Sequence, residues 1–319
     1  MDNGKFIISL DFELHWGAAE KWDLNTRKEY FDTTRKSIPI VLDLFKKYNI
    51  HATWATVGFL FAKDRKQLLE FLPDQRPCYL KKELSYYRLI ENEEVGNNET
   101  EDPYHFGYSL INKIINTPHQ ELATHTFSHY YCNEEGQTKE QFEADLNAAQ
   151  KIAKKNFNIE LKSLVFPRNQ YNEDYIKIAK NNGIKVVRSN PNLWFWNNSS
   201  KLIPLARAFD TLMPISSTVS FQLNDASKRK DTLLLPASRF LRPFCTKERA
   251  IQKLKFNRIK NEMTYAAKHN RSYHLWWHPH NFGYFLEENM IFLEDILKHY
   301  SVLKEKYNFE SKSMIEMYI

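Results

Sequence analysis

Phe6-Ile7-Ile8-Ser9-Leu10-Asp11-Phe12-Glu13 is the stretch on which the fold turns. It is an apolar run that ends on two carboxylates one residue apart, and it reads as a buried strand over residues 5–13. Side chains alternate along a strand, so Asp11 and Glu13 share one face. They also sit at its C-terminal end, where barrels and open α/β sheets carry their chemistry.

Outward from this strand, strand and helix signals alternate. Ile38, Val41, Leu42, Phe45 and Tyr48 form one stripe of a helix over about 33–48. Ala52–Val57 reads as a second strand, followed by a helical stretch with Leu68, Leu69, Phe71 and Leu72 that stops before Pro73. Glu121–Ala123 is a short strand. Thr138 and Gln141 make a capping box for a helix carrying Phe142, Leu146, Ala149 and Ile152. Leu161–Phe166 is the next strand, and Asn172 caps a helix that closes near Gly183. Strands follow at Ile184–Val187, Ser217–Leu223 and Thr232–Leu235, then a helix with Ala250, Leu254, Ile259 and Met263. His274–Trp277 is a last strand before a helix with Ile291, Phe292, Ile296, Leu297, Tyr300 and Leu303. This order predicts a parallel α/β sheet or barrel, one domain over 1–319. Residues 73–118 read as an insertion, either solvated surface or a lid, with an acidic patch from Glu91 to Asp102.

The chain has 319 residues, 42% of them hydrophobic, enough for one large core. Eight glycines leave no glycine-rich phosphate loop. The net charge of +6 is dispersed, so no nucleic-acid stripe forms, although it suits an acidic substrate or peripheral contact with an anionic membrane surface. Three scattered cysteines fit a reducing compartment. No export signal and no run of 18 apolar residues is visible, so cytoplasmic residence is the expectation.

Chemistry-bearing residues gather at strand ends. Thr124-His125-Thr126-Phe127-Ser128-His129 offers two imidazoles four residues apart, and a helix starting at Thr126 would put both on one face. Two His and one carboxylate commonly hold a divalent metal with positions open to water and substrate, and a further carboxylate can serve as general base. Taken singly, such residues are more often solvated caps or accidental pairs; their pairing at two strand ends favours chemistry. Arg168, after the Leu161–Phe166 strand, is placed to pair with a carboxylate and fix a base. His278 follows the final strand and is a candidate proton donor to a leaving amine, with His280 and Trp277 beside it as candidate substrate contacts. Arg239 and Arg242 are candidates to grip a phosphate or carboxylate.

This set resembles the NodB-type polysaccharide deacetylases, metal-dependent carbohydrate amidases, from Asp11 to about Asn281. Asp11 and Glu13 resemble the family's first motif, in a variant Asp-x-Glu form without the usual adjacent Asp-Asp-Gly. His125-Thr126-Phe127-Ser128-His129 resembles its His-Ser/Thr-x-x-His motif, Arg168 the arginine that holds the base, and His278 the terminal catalytic histidine. The resemblance implies a distorted (β/α)7-type barrel. It implies Glu13, His125 and His129 as ligands of a divalent metal, most plausibly Zn2+, with Asp11, Arg168 and His278 catalytic. The substrate implied is an N-acetylated amino sugar. Without an export signal, a nucleotide- or lipid-phosphate-linked precursor of surface polysaccharide (O-antigen or capsule) is the expected form, with Arg239 and Arg242 on its phosphates. A formyl or non-sugar amide substrate and a metal-free carbohydrate-binding role are the alternatives.

Overall fold

The computed structural model describes residues 3–191, 219–223, 228–229 and 231–318. Ten strands form one curled sheet: β1 (Lys5–Phe12), β2 (Ala52–Thr56), β3 (Gln120–Thr124), β4 (Ser163–Leu164), β5 (Val186–Ser189), β6 (Lys228–Arg229), β7 (Thr232–Pro236), β8 (Arg239–Phe240), β9 (Tyr273–Trp277) and β10 (Glu310–Lys312). Their order is β6-β7-β5-β4-β3-β2-β1-β9-β8, with β10 also on β1. All pairings are parallel except β6 with β7. One stretch brings the two ends of the sheet together. Residues 232–236 pair with β5, and after Ala237 and Ser238 the same chain, now β8, pairs with β9. The expected barrel-like α/β architecture is present.

Alternation along β1 sorts its side chains into two environments. Phe6, Ile8, Leu10 and Phe12 join the large outer core against the helices, while Ile7 joins Ala55, Ala123, Val165, Val186 and Leu235 inside the curl. Ser9 and Asp11 continue the inner row, so polar groups occupy the upper interior.

Eight helices are described: α1 (Lys28–Lys47), α2 (Arg65–Glu70), α3 (Tyr87–Glu91), α4 (Tyr108–Ile115), α5 (Lys139–Phe157), α6 (Glu173–Asn181), α7 (Gln252–Lys268) and α8 (Leu286–Tyr307). The Thr138/Gln141 box and the Asn172 cap both form as read from sequence. Helix α1 starts five residues earlier than expected, because Tyr30 and Phe31 extend its buried stripe. The strand expected over 161–166 shrinks to Ser163–Leu164. Of the expected strand 217–223, residues 217 and 218 lie outside the described residues, and Phe221 makes a single bridge to Ser272. Within 73–118, α4 sends Leu110, Ile111 and Ile114 into the main core. In the acidic patch, Glu99 pairs with Arg35 at 2.5 Å and Asp102 with His105 at 2.7 Å. No helix among the described residues is long and apolar enough to cross a membrane.

Candidate metal and active site

The sheet's C-terminal edge carries a cleft of about 350 Å3 with Glu13, His125, His129, Asp11, His278 and His280 on its wall. Glu13 is its hub. His125 Nε2 lies 3.0 Å and His129 Nε2 3.3 Å from Glu13 Oε1. His278 Nε2 is 3.6 Å from the same oxygen, and His280 Nδ1 is 3.6 Å from Oε2. Glu13 reaches this position just past β1, folded over the 3-10 turn Leu14–Gly17.

The two imidazoles do not share a helix. Residues 125–130 form an irregular loop with Thr126 and His129 at positive φ (64° and 58°), so the expected helix at Thr126 is absent. The backbone donors such a helix would have used find a side chain instead. Asp145, on the buried face of α5, accepts from Phe127 N (2.7 Å) and Ser128 N (3.1 Å), and also from the Ser128 hydroxyl. Thr126 Oγ1 accepts from Tyr130 N at 2.7 Å. This web sets the loop that delivers both rings to Glu13.

Their chemical state suits a cation. His125 Nδ1 sits 2.8 Å from the Val165 carbonyl, to which it donates, and this fixes the ring with Nε2 toward Glu13. Burial pushes the His129 pKa down, keeping that ring neutral, and its Nδ1 is buried without a protein partner. Burial pushes the Glu13 carboxyl up, but His278, His125 and His129 outweigh it and hold the carboxyl well below the usual range. The donor atoms of Glu13, His125 and His129 lie within 4.8 Å of one another. A tetrahedral ion with bonds of about 2.0–2.2 Å would separate its ligands by roughly 3.4 Å, close to the distances found. The residues fit a divalent metal.

Asp11 stands beside this set with an arginine on it. Arg188 Nη1 and Nη2 reach the two carboxylate oxygens at 2.6 and 2.7 Å, and Nη1 also donates to Ser9 Oγ at 3.1 Å. Burial raises the Asp11 pKa, yet Arg188, His125 and His278 together hold it below the usual value. His278 Nε2 is 3.7 Å from Asp11 Oδ2, and its ring is about one quarter exposed to the cleft.

Four expectations need correction. Arg168 does not hold Asp11: its guanidinium pairs with Glu20 and, at 3.2 Å, with Glu134, because it lies beyond β4 on the rim rather than on the inner row. Arg188 was missed, although it follows Val186 at the inward spacing of β5. Arg239 is buried and bidentate on Glu262 at 2.6 and 2.7 Å, and Arg242 lies 3.7 Å from Glu248, so both face helix-side carboxylates. Trp277 is fully buried and stacks on Phe282, since alternation along β9 turns it outward; Trp276 is the indole on the cleft wall. His280 does lie in the cleft, its pKa lowered to about 3 by burial and by His278.

Segments of 73–118 back the site from behind. The Tyr86 ring centroid lies 5.6 Å from that of His129, and the Tyr79 hydroxyl accepts from Tyr131 N at 2.8 Å.

The family model for polysaccharide deacetylase matches residues 30–187. That span includes His125 and His129 but stops short of Asp11, Glu13, Arg188 and His278. No curated protein matches the chain. Among solved structures, a Mycobacterium smegmatis protein described as a polysaccharide deacetylase superposes with TM-score 0.61 at 9% identity, covering 99% of this chain and 88% of that one. A Pseudomonas aeruginosa PAO1 protein described likewise gives 0.54 at 10% identity, covering 98% and 87%. A 4-alpha-glucanotransferase of Thermococcus litoralis gives 0.55 at 12% identity, covering 99% and 40%. At these identities the likeness is one of fold, and a glucanotransferase among them means the fold alone does not select the reaction.

Proposed function

Residues 30–187 of this chain belong to the polysaccharide deacetylase family, and from that premise we propose that the protein is a metal-dependent hydrolase removing an N-acetyl group from an amino sugar. The observation that carries the reading is the convergence of His125 Nε2 and His129 Nε2 on Glu13 Oε1, with the ionised Asp11 alongside. Zn2+ suits a donor set of two imidazoles and one carboxylate. Bound there, a divalent cation supplies Lewis acidity toward the acyl carbonyl and makes water more acidic.

The chain's own groups do the rest. Asp11 takes the proton of the attacking water, and Arg188 fixes the carboxylate's orientation at some cost in basicity. His278, partly open to the cleft, gives a proton to the departing amine. In this reading the enzyme works in the cytoplasm on a nucleotide- or lipid-phosphate-linked precursor of surface polysaccharide. Arg239 and Arg242 lend that carrier no support, since both are paired elsewhere.

Asp11→Asn should retain metal and lose about 10²–10⁴-fold in turnover, whereas His125→Ala should lose both metal and turnover. Elemental analysis of purified protein and acetate release from free, nucleotide-linked and polymeric N-acetyl amino sugars measure this. Formamides in the same panel separate deacetylation from the other amide chemistry. A protein that takes up no divalent metal, or that releases acetate from none of these sugars, refutes the proposal.

A further inference from the structure

Three loops of the cleft rim meet at Arg168, which follows β4. Its guanidinium pairs with Glu20, from the loop after β1, and with Glu134, from the loop after β3, at 3.2 Å. It also lies over the Tyr131 ring, 4.2 Å from the centroid. Tyr131 packs edge-on against His129 at 5.1 Å and donates its hydroxyl to Glu20 at 2.9 Å. A continuous path of contacts therefore runs from Glu20, seven residues past Glu13, through Arg168 and Tyr131 to His129.

The charges in this path are not ordinary surface pairs. The Glu20 side chain is only 5% exposed, and although burial raises its pKa, Arg168 and the Tyr131 hydroxyl keep it ionised. Lys21 Nζ also lies 3.2 Å from Glu20 Oε1 but belongs to Glu20's own loop, so Arg168 is the cation that ties this carboxylate to the loop after β4. Arg168 is also at positive φ (54°), a conformation uncommon for arginine and kept where the surroundings enforce it.

We propose that Arg168 is a positioning residue: it straps the loop carrying Glu13 to the loop carrying His125 and His129 and so sets the spacing of the metal ligands. The inference rests on the metal-binding reading above. Supporting groups of this kind tune metal affinity about 10–100-fold.

The test uses metal-stripped full-length protein titrated with Zn2+ against a chromogenic chelator. Arg168→Ala should bind Zn2+ about 10–100-fold more weakly. The double variant Arg168→Ala/Glu20→Gln should bind Zn2+ about as weakly as Arg168→Ala alone, because both changes cut the same link. Wild-type affinity in Arg168→Ala overturns the strap, as does a loss that Glu20→Gln repairs, which would lay the effect on an unpaired carboxylate instead. A wild-type chain that binds no Zn2+ fails the metal reading instead. Amide hydrogen exchange over 126–131 then still decides the strap: faster exchange in Arg168→Ala supports it, and unchanged exchange overturns it.

Discussion

Glu13 folds its carboxylate against bare backbone at Gly17. A Cβ there would sit 1.7 Å from Glu13 Oε2, so no other residue fits without moving the hub of the site. Gly17→Ala should therefore weaken metal binding by about tenfold or more while leaving the fold's cooperative melt in place, which calorimetry with and without Zn2+ would read. Arg188 is the opposite case, a buried cation whose loss would leave Asp11 unpaired. Arg188→Ala should cost about 3–5 kcal/mol in denaturant unfolding. At this scale the sequence disclosed residue types and strand ends: Asp11, Glu13, His125, His129 and His278 were all legible from apolar runs ending in polar groups. It did not disclose which arginine turns inward. Arg168 and Arg188 both follow short apolar strands, and only strand length and register separate them.

At the scale of elements, the His-x-x-x-His segment shows how one spacing serves two conformations. Four residues span a helical turn, but here they span a loop whose amide donors are satisfied by Asp145. The available signal was an acid on the apolar stripe of α5, between Phe142 and Ala149, where a solvated residue has no place. Burial raises the Asp145 pKa from 3.8 to about 6 despite those donors. The folded state thus holds this proton more tightly than the unfolded chain does. The group's favourable contribution is complete below about pH 4 and lost as pH rises through 6, roughly 3 kcal/mol in all. Asp145→Asn should lack that slope in urea melts across pH 4–7, and its Zn2+ binding should weaken because the loop amides are held less well.

For the whole molecule, seven of the nine described strands that pair in parallel were visible as apolar runs, from residues 5–13 to 274–277. The two-residue β6 and β8 and the three-residue β10 were not. Glu310-Ser311-Lys312 carries no apolar pattern, and its pairing with β1 is decided by tertiary contacts. The segment after it is fixed by Glu316, which accepts from His51 Nδ1 at 2.8 Å and from Ser313 N at 2.7 Å. Burial raises the Glu316 pKa, but these donors win and bring it from 4.5 down to about 2. This contribution is present above pH 4.5 and disappears as the pH falls toward 2. Glu316→Gln should accordingly lower the melting temperature by a constant amount above pH 5, and by progressively less in acid.

β1 pairs with β9 along one edge and with β10 and then β2 along the other, since Phe6 and Ile7 face both β9 and β10. During synthesis the first strand waits with one edge bare until some 270 residues have emerged from the ribosome, and His278 arrives with the strand that covers it. On the function proposed above, a nascent or C-terminally truncated chain should be inert, and the appearance of hydrolysis would time the completion of folding in a translating extract.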